Sequence, residues 1–394
     1  MMTVQIPLKV HIGGDADKGR DIRISNFICW YFLIAALNLA VKMIWGDFDA
    51  WSWISKGILA LFLAIAFLPI TGKKILQLAA YEFLFSVLFL FTWLQGTQNA
   101  EFKSIVFNTL AVYVPIALCV KNIDSIEVLL KKLYIYSYPT QIFLLYVAFS
   151  FKEVSDATYS MSLGYYLLFQ MLICLDHFFS EKKIVDIAIC LIDLIAIVLY
   201  GSRGPIVCIA AFFVIKMLTS FGFSKGKKLF LVLSTALLLV LLHYSLDFLI
   251  SNLPDKWLKS RTLSMFLSGE FGQDSGRMRI YSDYLKLIRQ RPWFGFGIAG
   301  GWMYSSYPHN LEIELMLSFG IPIGCLCLIL ILYTSLRNLS TEDEGERRLS
   351  AILITVLVEL QLSGSFIKSL QFFMLLAMCI RGIQKRRMDR SLEE

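Results

Sequence analysis

Four side chains in this chain have the types and settings to do chemistry: Arg203 in LYGSRGPIVC, Arg277 and Arg279 in SGRMRIYSDY, and His309 in YPHNLEIELM. Guanidinium groups present planar forks of donors that match phosphate oxygens. An imidazole with an ordinary pKa near ~6.5 accepts a proton from a hydroxyl at neutral pH. Together they suit a transfer in which a phosphorylated group leaves as an anion while a hydroxyl attacks. Beside His309, Glu312 is placed one helical turn on to orient the ring, and Glu314 pairs by spacing with Asn310. Tyr304, Tyr307, Trp293 and Trp302 offer apolar ring faces to a ligand, although an aromatic belt at a membrane interface is the more ordinary reading of the same residues. Arg203 also has two readings: an anion clamp, or an interfacial arginine snorkelling to headgroups where Gly201, Gly204 and Pro205 interrupt an apolar run.

The elements that must position these residues are membrane helices. Of the 394 residues 57% are hydrophobic and only 17% charged, outside the usual range of soluble domains. Windows long enough to cross a ~30 Å hydrocarbon layer recur along the chain. They predict an all-α, polytopic fold with twelve transmembrane helices, at 27–45, 54–71, 75–95, 105–120, 133–151, 160–180, 184–200, 204–220, 229–249, 310–333, 350–366 and 369–382. The expected organisation is a cytoplasmic segment 1–26, nine helices over 27–249, one large external loop 250–308, three helices over 309–382 and a cytoplasmic tail 383–394.

Lysine and arginine counts orient this layout. With residues 1–26 cytoplasmic, each segment on that side holds two to five Lys or Arg, whereas the five short external segments hold one each: Lys56, Lys103, Lys152, Arg203 and Lys368. Both termini are then cytoplasmic, and Arg203, Arg277, Arg279 and His309 share the external side. No cleavable apolar segment precedes the first span.

Within the external loop, GQDSGRMRIYSDYLKLIRQRP reads as one amphipathic helix. Asp274 or Ser275 can cap its start, Ile280, Tyr284, Leu287 and Ile288 share a face, and Pro292 lies beyond its end. Arg277 falls in the first turn, where free N–H groups already favour an anion. PWFGFGIAGG follows. Its glycines formally spell a nucleotide fingerprint, but no strand precedes them, so they read as a tight loop returning the chain to the membrane. The eight cysteines fall in apolar spans without metal-ligand spacing. Lys42, Glu82, Asp193, Lys216, His243, Asp247 and Glu359 are polar residues scattered within spans. The net charge of +7 is mostly cytoplasmic anchoring and does not argue for nucleic acid.

Three stretches in order, GSRGP, SGRMRIYSDYLKLIRQRPWFGFG and YPHNLEIELMLSFGIPIG, resemble the superfamily of O-antigen polymerases and O-antigen ligases over about residues 195–335. The first 190 residues agree with it in hydropathy and topology alone. The resemblance implies a glycosyltransferase of the bacterial inner membrane that works without a metal or other cofactor. Its donor and acceptor would be oligosaccharides linked to undecaprenyl pyrophosphate, and a chain-length regulator would be a further partner. It further implies that Arg203 and Arg277 hold the donor pyrophosphate, with Arg279 near the same helix start, and that His309 acts on the acceptor hydroxyl. Tyr307, Asn310 and Glu314 would contribute to substrate binding. The form of the last stretch is more similar to polymerases of O-antigen or capsule than to ligases acting on lipid A core. A transporter or flippase for lipid-linked saccharide is the alternative of another class.

Overall fold

The computed structural model describes residues 15–45, 54–55, 57–59, 61, 72–150, 161–199, 203–219, 277–303 and 307–393. The expected spans at 229–249 and over most of 54–71, and the external loop up to residue 276, lie outside the described residues. What is described is helical, with no strand and a single antiparallel bridge between Gln98 and Gly300. In chain order the helices are α1 Asp15–Trp45, α2 Gly72–Leu94, α3 Phe102–Asn122, α4 Ile126–Ser150, α5 Met161–Glu181, α6 Ile184–Leu199 and α7 Arg203–Thr219. After the undescribed segment come α8 Arg277–Gln290, α9 Leu311–Phe319, α10 Ile321–Asn338, α11 Glu344–Leu353, α12 Thr355–Leu362 and α13 Leu370–Glu393.

Among the described residues five helices are long and apolar enough to cross a membrane: Gly19–Val41, Lys74–Leu94, Phe102–Asn122, Leu163–Glu181 and Ile321–Asn338. α1 packs on α4, α4 on α5, and α5 on α6, while α3 packs on α13 and α7 on α12. α2 and α10 lie at the periphery, where Leu76, Phe83, Leu94, Leu326 and Ile329 are open to the surroundings. A row of apolar side chains on that scale suits hydrocarbon rather than water.

The amphipathic loop helix forms over Arg277–Gln290 with Tyr284 and Ile288 buried, as its spacing predicts; its expected caps lie outside the described residues. Two other helices depart from regular geometry for reasons in their sequence. α3 widens to a π turn over Thr109–Tyr113, where the Val114 N–H bonds to the Thr109 carbonyl. Pro115 follows at once, and its missing N–H leaves a carbonyl of the preceding turn without an ordinary partner. The π register absorbs that defect.

The expected single span over 310–333 is broken. Gly320 has φ 79°, Pro322 begins the next helix, and α9 and α10 are separate. A Cβ on Gly324 would lie 2.8 Å from the Met316 nitrogen, so α10 starts folded back against α9. With nine residues α9 is roughly 13 Å long, too short to cross the apolar layer. The break frees the last carbonyls of α9, and the glycine loop takes them: Phe296 N donates to Leu317 O at 2.7 Å and Gly297 N to Ser318 O at 3.0 Å. Ile321 N donates to Pro292 O at 2.7 Å. The Thr92 and Thr97 hydroxyls bond the Ile298 and Phe296 carbonyls at 3.0 and 2.7 Å, tying the loop to the end of α2. PWFGFGIAGG is therefore the returning loop its glycines suggest, and also the C-cap of a broken helix.

At the other end of the bundle, ion pairs join the helices. Arg20 pairs with Asp124, Arg348 with Asp176 at 2.9 Å, and Arg381 with Glu346 at 2.8 Å. Lys216, which the sequence places inside a span, also pairs with Asp176.

These contacts separate two kinds of glycine. At Gly96, φ is +64° but a Cβ would meet nothing within 4 Å; at Gly295, φ is +65° and a Cβ would lie 2.5 Å from Leu317 O. Gly96→Ala is expected to cost about 1 kcal/mol of left-handed strain. Gly295→Ala is expected to cost roughly 3 kcal/mol or more, since a backbone atom must move. Thermal unfolding of the two variants in detergent checks this, and equal melting temperatures would remove the capping role.

Candidate active site

His309 stands immediately before Asn310 at the start of α9. Its φ is 56°, a left-handed conformation uncommon outside glycine. The next residue explains the need for a tight turn: Asn310 is the N-cap of α9, accepting from Ile313 N at 3.0 Å and donating to Gln361 Oε1 at 2.8 Å. The backbone must enter that cap while the imidazole stays against the Tyr307 ring, with centroids 4.3 Å apart. Tyr307 in turn meets Trp302 edge-on at 5.6 Å.

Two elements bring cations to this ring. α8 packs on α9, with the Tyr281 hydroxyl donating to His309 O at 3.4 Å and Met303 N donating to the Tyr284 hydroxyl at 2.9 Å. Arg277, at the start of α8, is close enough for its charge to act on the imidazole. The second cation is Lys368, in the turn between α12 and α13. Its ammonium lies 5.2 Å from the centroids of both Trp302 and Tyr307, and it pairs with Glu101. Burial, then Arg277, then Lys368 push the His309 pKa down from 6.5 to about 4. The expectation of an ordinary pKa therefore fails, because the ring is partly withdrawn from water between two positive charges.

The other expected site residues divide. Tyr307 is at the site. Arg279 is exposed on α8, and Glu312 is exposed on α9. Asn310 and Glu314 do not pair with each other. Asn310 caps its own helix, and the buried Glu314 carboxylate accepts from the Ser365 hydroxyl and from Phe366 N at 3.1 Å, holding the turn that carries Lys368. Trp293 is 69% exposed and lies on the capping loop. Tyr304 and the side chain of Arg203 lie outside the described residues. The backbone of Arg203 opens α7, and the adjacent Gly204 is pressed under the Tyr165 hydroxyl, where a Cβ would be 1.9 Å from the oxygen. Tyr165 also lies within the field of Arg277, so positions 203–204 and Arg277 approach one neighbourhood through this tyrosine.

Lys368 was legible in the sequence only as a topological marker. Among the described residues no three His, Cys, Asp or Glu side chains converge in a way that would hold a metal ion.

Residues 188–329 match the family described as O-antigen ligase. The chain carries a domain of the O-antigen polymerase and ligase superfamily. That domain takes in α7, α8 and α9 with Arg203, Arg277 and His309, and nearly coincides with the stretch on which the resemblance rested. Superfamily members are glycosyltransferase-like enzymes of polysaccharide biosynthesis, and with the apolar helices this marks a membrane protein. A comparison with curated proteins finds no match.

The electrostatics yield a direct test. In the folded chain His309 should titrate near pH 4, remaining neutral at pH 5 where a free imidazole is mostly charged. Because the unfolded chain takes up this proton first, the site opposes folding increasingly as pH falls from about 6.5 to about 4. Lys368→Gln should raise the midpoint. Magnetic resonance of histidine-labelled protein in detergent, assigned with His309→Ala, measures both, and a wild-type midpoint near 6.5 would refute the arrangement.

Proposed function

We propose that this chain is a bacterial surface polysaccharide polymerase of O-antigen or capsule. It moves a growing glycan from undecaprenyl pyrophosphate to the non-reducing-end hydroxyl of another carrier-linked repeat unit, on the external face of the inner membrane. The observation that carries this reading is the approach of Arg277 to His309 at the mouth of a broken helix, inside the O-antigen ligase segment. The reading includes the twelve-span topology with both termini cytoplasmic, a large external loop, no cofactor, and a chain-length regulator as partner. The closing sequence PHNLEIELMLSFGIPIG favours polymerase over ligase.

The chemistry follows from charge. The anomeric carbon gains positive character as its bond to the pyrophosphate oxygen breaks, and the electron pair stays on the departing phosphate. Arg277 and Arg203 stabilise that growing charge, the role of preorganised donors in group transfer. The acceptor oxygen bonds to the anomeric carbon and its proton passes to His309. An imidazole titrating near 4 is a weak base, and the same cations that weaken it are the ones a pyrophosphate would neutralise. Donor binding thus restores the part of the basicity that Arg277 and Lys368 remove, while burial, the larger cause, continues to favour the neutral ring.

Arg277→Ala and His309→Ala are expected to abolish polymer while the protein still inserts, read as the ladder of surface glycan on a gel; near-normal polymer from His309→Ala would show it is no base. Inorganic pyrophosphate added to purified protein should raise the His309 midpoint by one unit or more, and should not do so in Arg277→Ala. Gene deletion separates the acceptors. Loss of a polymerase leaves a single repeat unit on the cell surface, and loss of a ligase leaves it bare. Purified protein that lengthens no carrier-linked units would favour a transporter.

A further inference from the structure

Next to His309 the bundle contains a cavity of about 300 Å³ that the transfer chemistry above does not use. Its wall is built from Tyr31 of α1, Tyr113 of α3, Tyr165 and Tyr166 of α5, Tyr307, and Glu359 of α12. Five tyrosines from four separate stretches of chain around one space are not required by packing, which phenylalanine or leucine would serve without buried hydroxyls. Tyr31 and Tyr113 meet with their rings edge-on at 6.4 Å, and the Tyr113 hydroxyl donates to Lys368 O at 3.2 Å. The π turn in α3 is what carries Tyr113 at its last residue, and such turns recur at functional sites.

Glu359 distinguishes the candidate occupants. Among the described residues no hydrogen bond or ion pair engages its side-chain carboxylate, which faces the cavity. A half-buried acceptor of this kind is matched by an occupant that brings hydroxyl or amide donors. A polyprenyl tail has none, and it would be met by a wall whose aliphatic members are Leu360 and Leu370 alone. A sugar ring has both surfaces needed, a C–H face to lie on tyrosine and equatorial hydroxyls for the carboxylate. The volume is at the low end of the roughly 300–1,000 Å³ of small-molecule sites, enough for a sugar unit or two and not for a long chain. Tyr307 sets the position, since it lines the cavity and its ring also meets that of His309 at a tilt, with centroids 4.3 Å apart.

We propose that this tyrosine-lined cavity binds the terminal saccharide of the acceptor, with Glu359 accepting hydrogen bonds from its hydroxyls and Tyr307 directing the reacting hydroxyl toward His309. This rests on the polymerase reading for the word acceptor, and the cavity's affinity for sugar can be measured without turnover.

The probe is the free oligosaccharide repeat unit released by mild acid from the producing strain's own carrier lipid. Its binding to the purified full chain in detergent is followed by calorimetry and saturation-transfer resonance. Wild type and Arg277→Ala should bind it alike, while Glu359→Gln and Tyr166→Ala should each weaken binding at least tenfold. Elution and melting temperature report folding of each variant. Independently of any variant, a diazirine-bearing repeat unit should label peptides covering residues 163–169 and 357–371. Absence of binding by wild type, unchanged binding in both variants, or label confined elsewhere would overturn the proposal. Wild type that lengthens chains while Glu359→Gln binds and acts normally would refute the cavity and leave the polymerase standing. Wild type that binds the saccharide through Glu359 yet lengthens nothing would refute the polymerase and leave the cavity standing.

Discussion

A helix that stops inside an apolar layer leaves carbonyls that lipid cannot satisfy. In this chain the break at Gly320 creates that problem, and its solution organises the site. The segment Phe296–Gly297 donates to the freed carbonyls of Leu317 and Ser318, and Ile321 reaches back to Pro292. Because the capping loop follows α8 directly, satisfying α9 also fixes where α8 lies. Arg277 is at the far end of that helix and His309 immediately precedes α9, so backbone hydrogen bonding at one end sets side-chain electrostatics at the other. Space is too short for side chains at the join: Cβ atoms on Gly295 and Gly320 would both collide with backbone, which is why glycine occupies both.

The cations around His309 have a cost in the empty protein. Two positive groups and partial burial oppose a third charge, and the ring stays neutral. Lys368 is held by contacts that are themselves polar: its ammonium pairs with Glu101, and the turn that carries it is pinned by Glu314 through Ser365 and Phe366. Asn310 and Glu314 fix backbone near His309, one by capping α9 and the other by holding the α12–α13 turn.

The opposite end of the bundle is held differently. Asp21 accepts from the backbone of Asp124 and Ser125, Arg381 reaches Glu346 and the Ile123 carbonyl, and Asp176 gathers Arg348 and Lys216. Buried charges are tolerated there because each meets a partner, and breaking one would leave the other uncompensated. Glu359, near the site, is the contrast: a carboxylate with space in front of it and no partner among the described residues.

Much was legible from residues alone because it depends on local pattern. Apolar runs, the spacing of Ile280, Tyr284 and Ile288, and the order of the three stretches led to a helical membrane protein, an amphipathic loop helix and the superfamily of its central segment. Glycine spacing showed that PWFGFGIAGG turns tightly, since positive φ is a property of single residues. What it caps was hidden, because the carbonyls of Leu317 and Ser318 are freed only by a break that reads in sequence as one apolar run. Likewise the lowered pKa of His309, the recruitment of Lys368 and the gathering of five tyrosines around Glu359 depend on distances between segments far apart in the chain. Hydrophobicity and backbone propensity act over a few residues and are written in order along the chain. Electrostatic fields and cavities act through space, and only the packing of α3, α5, α8, α9 and α12 decided which charges and rings would meet.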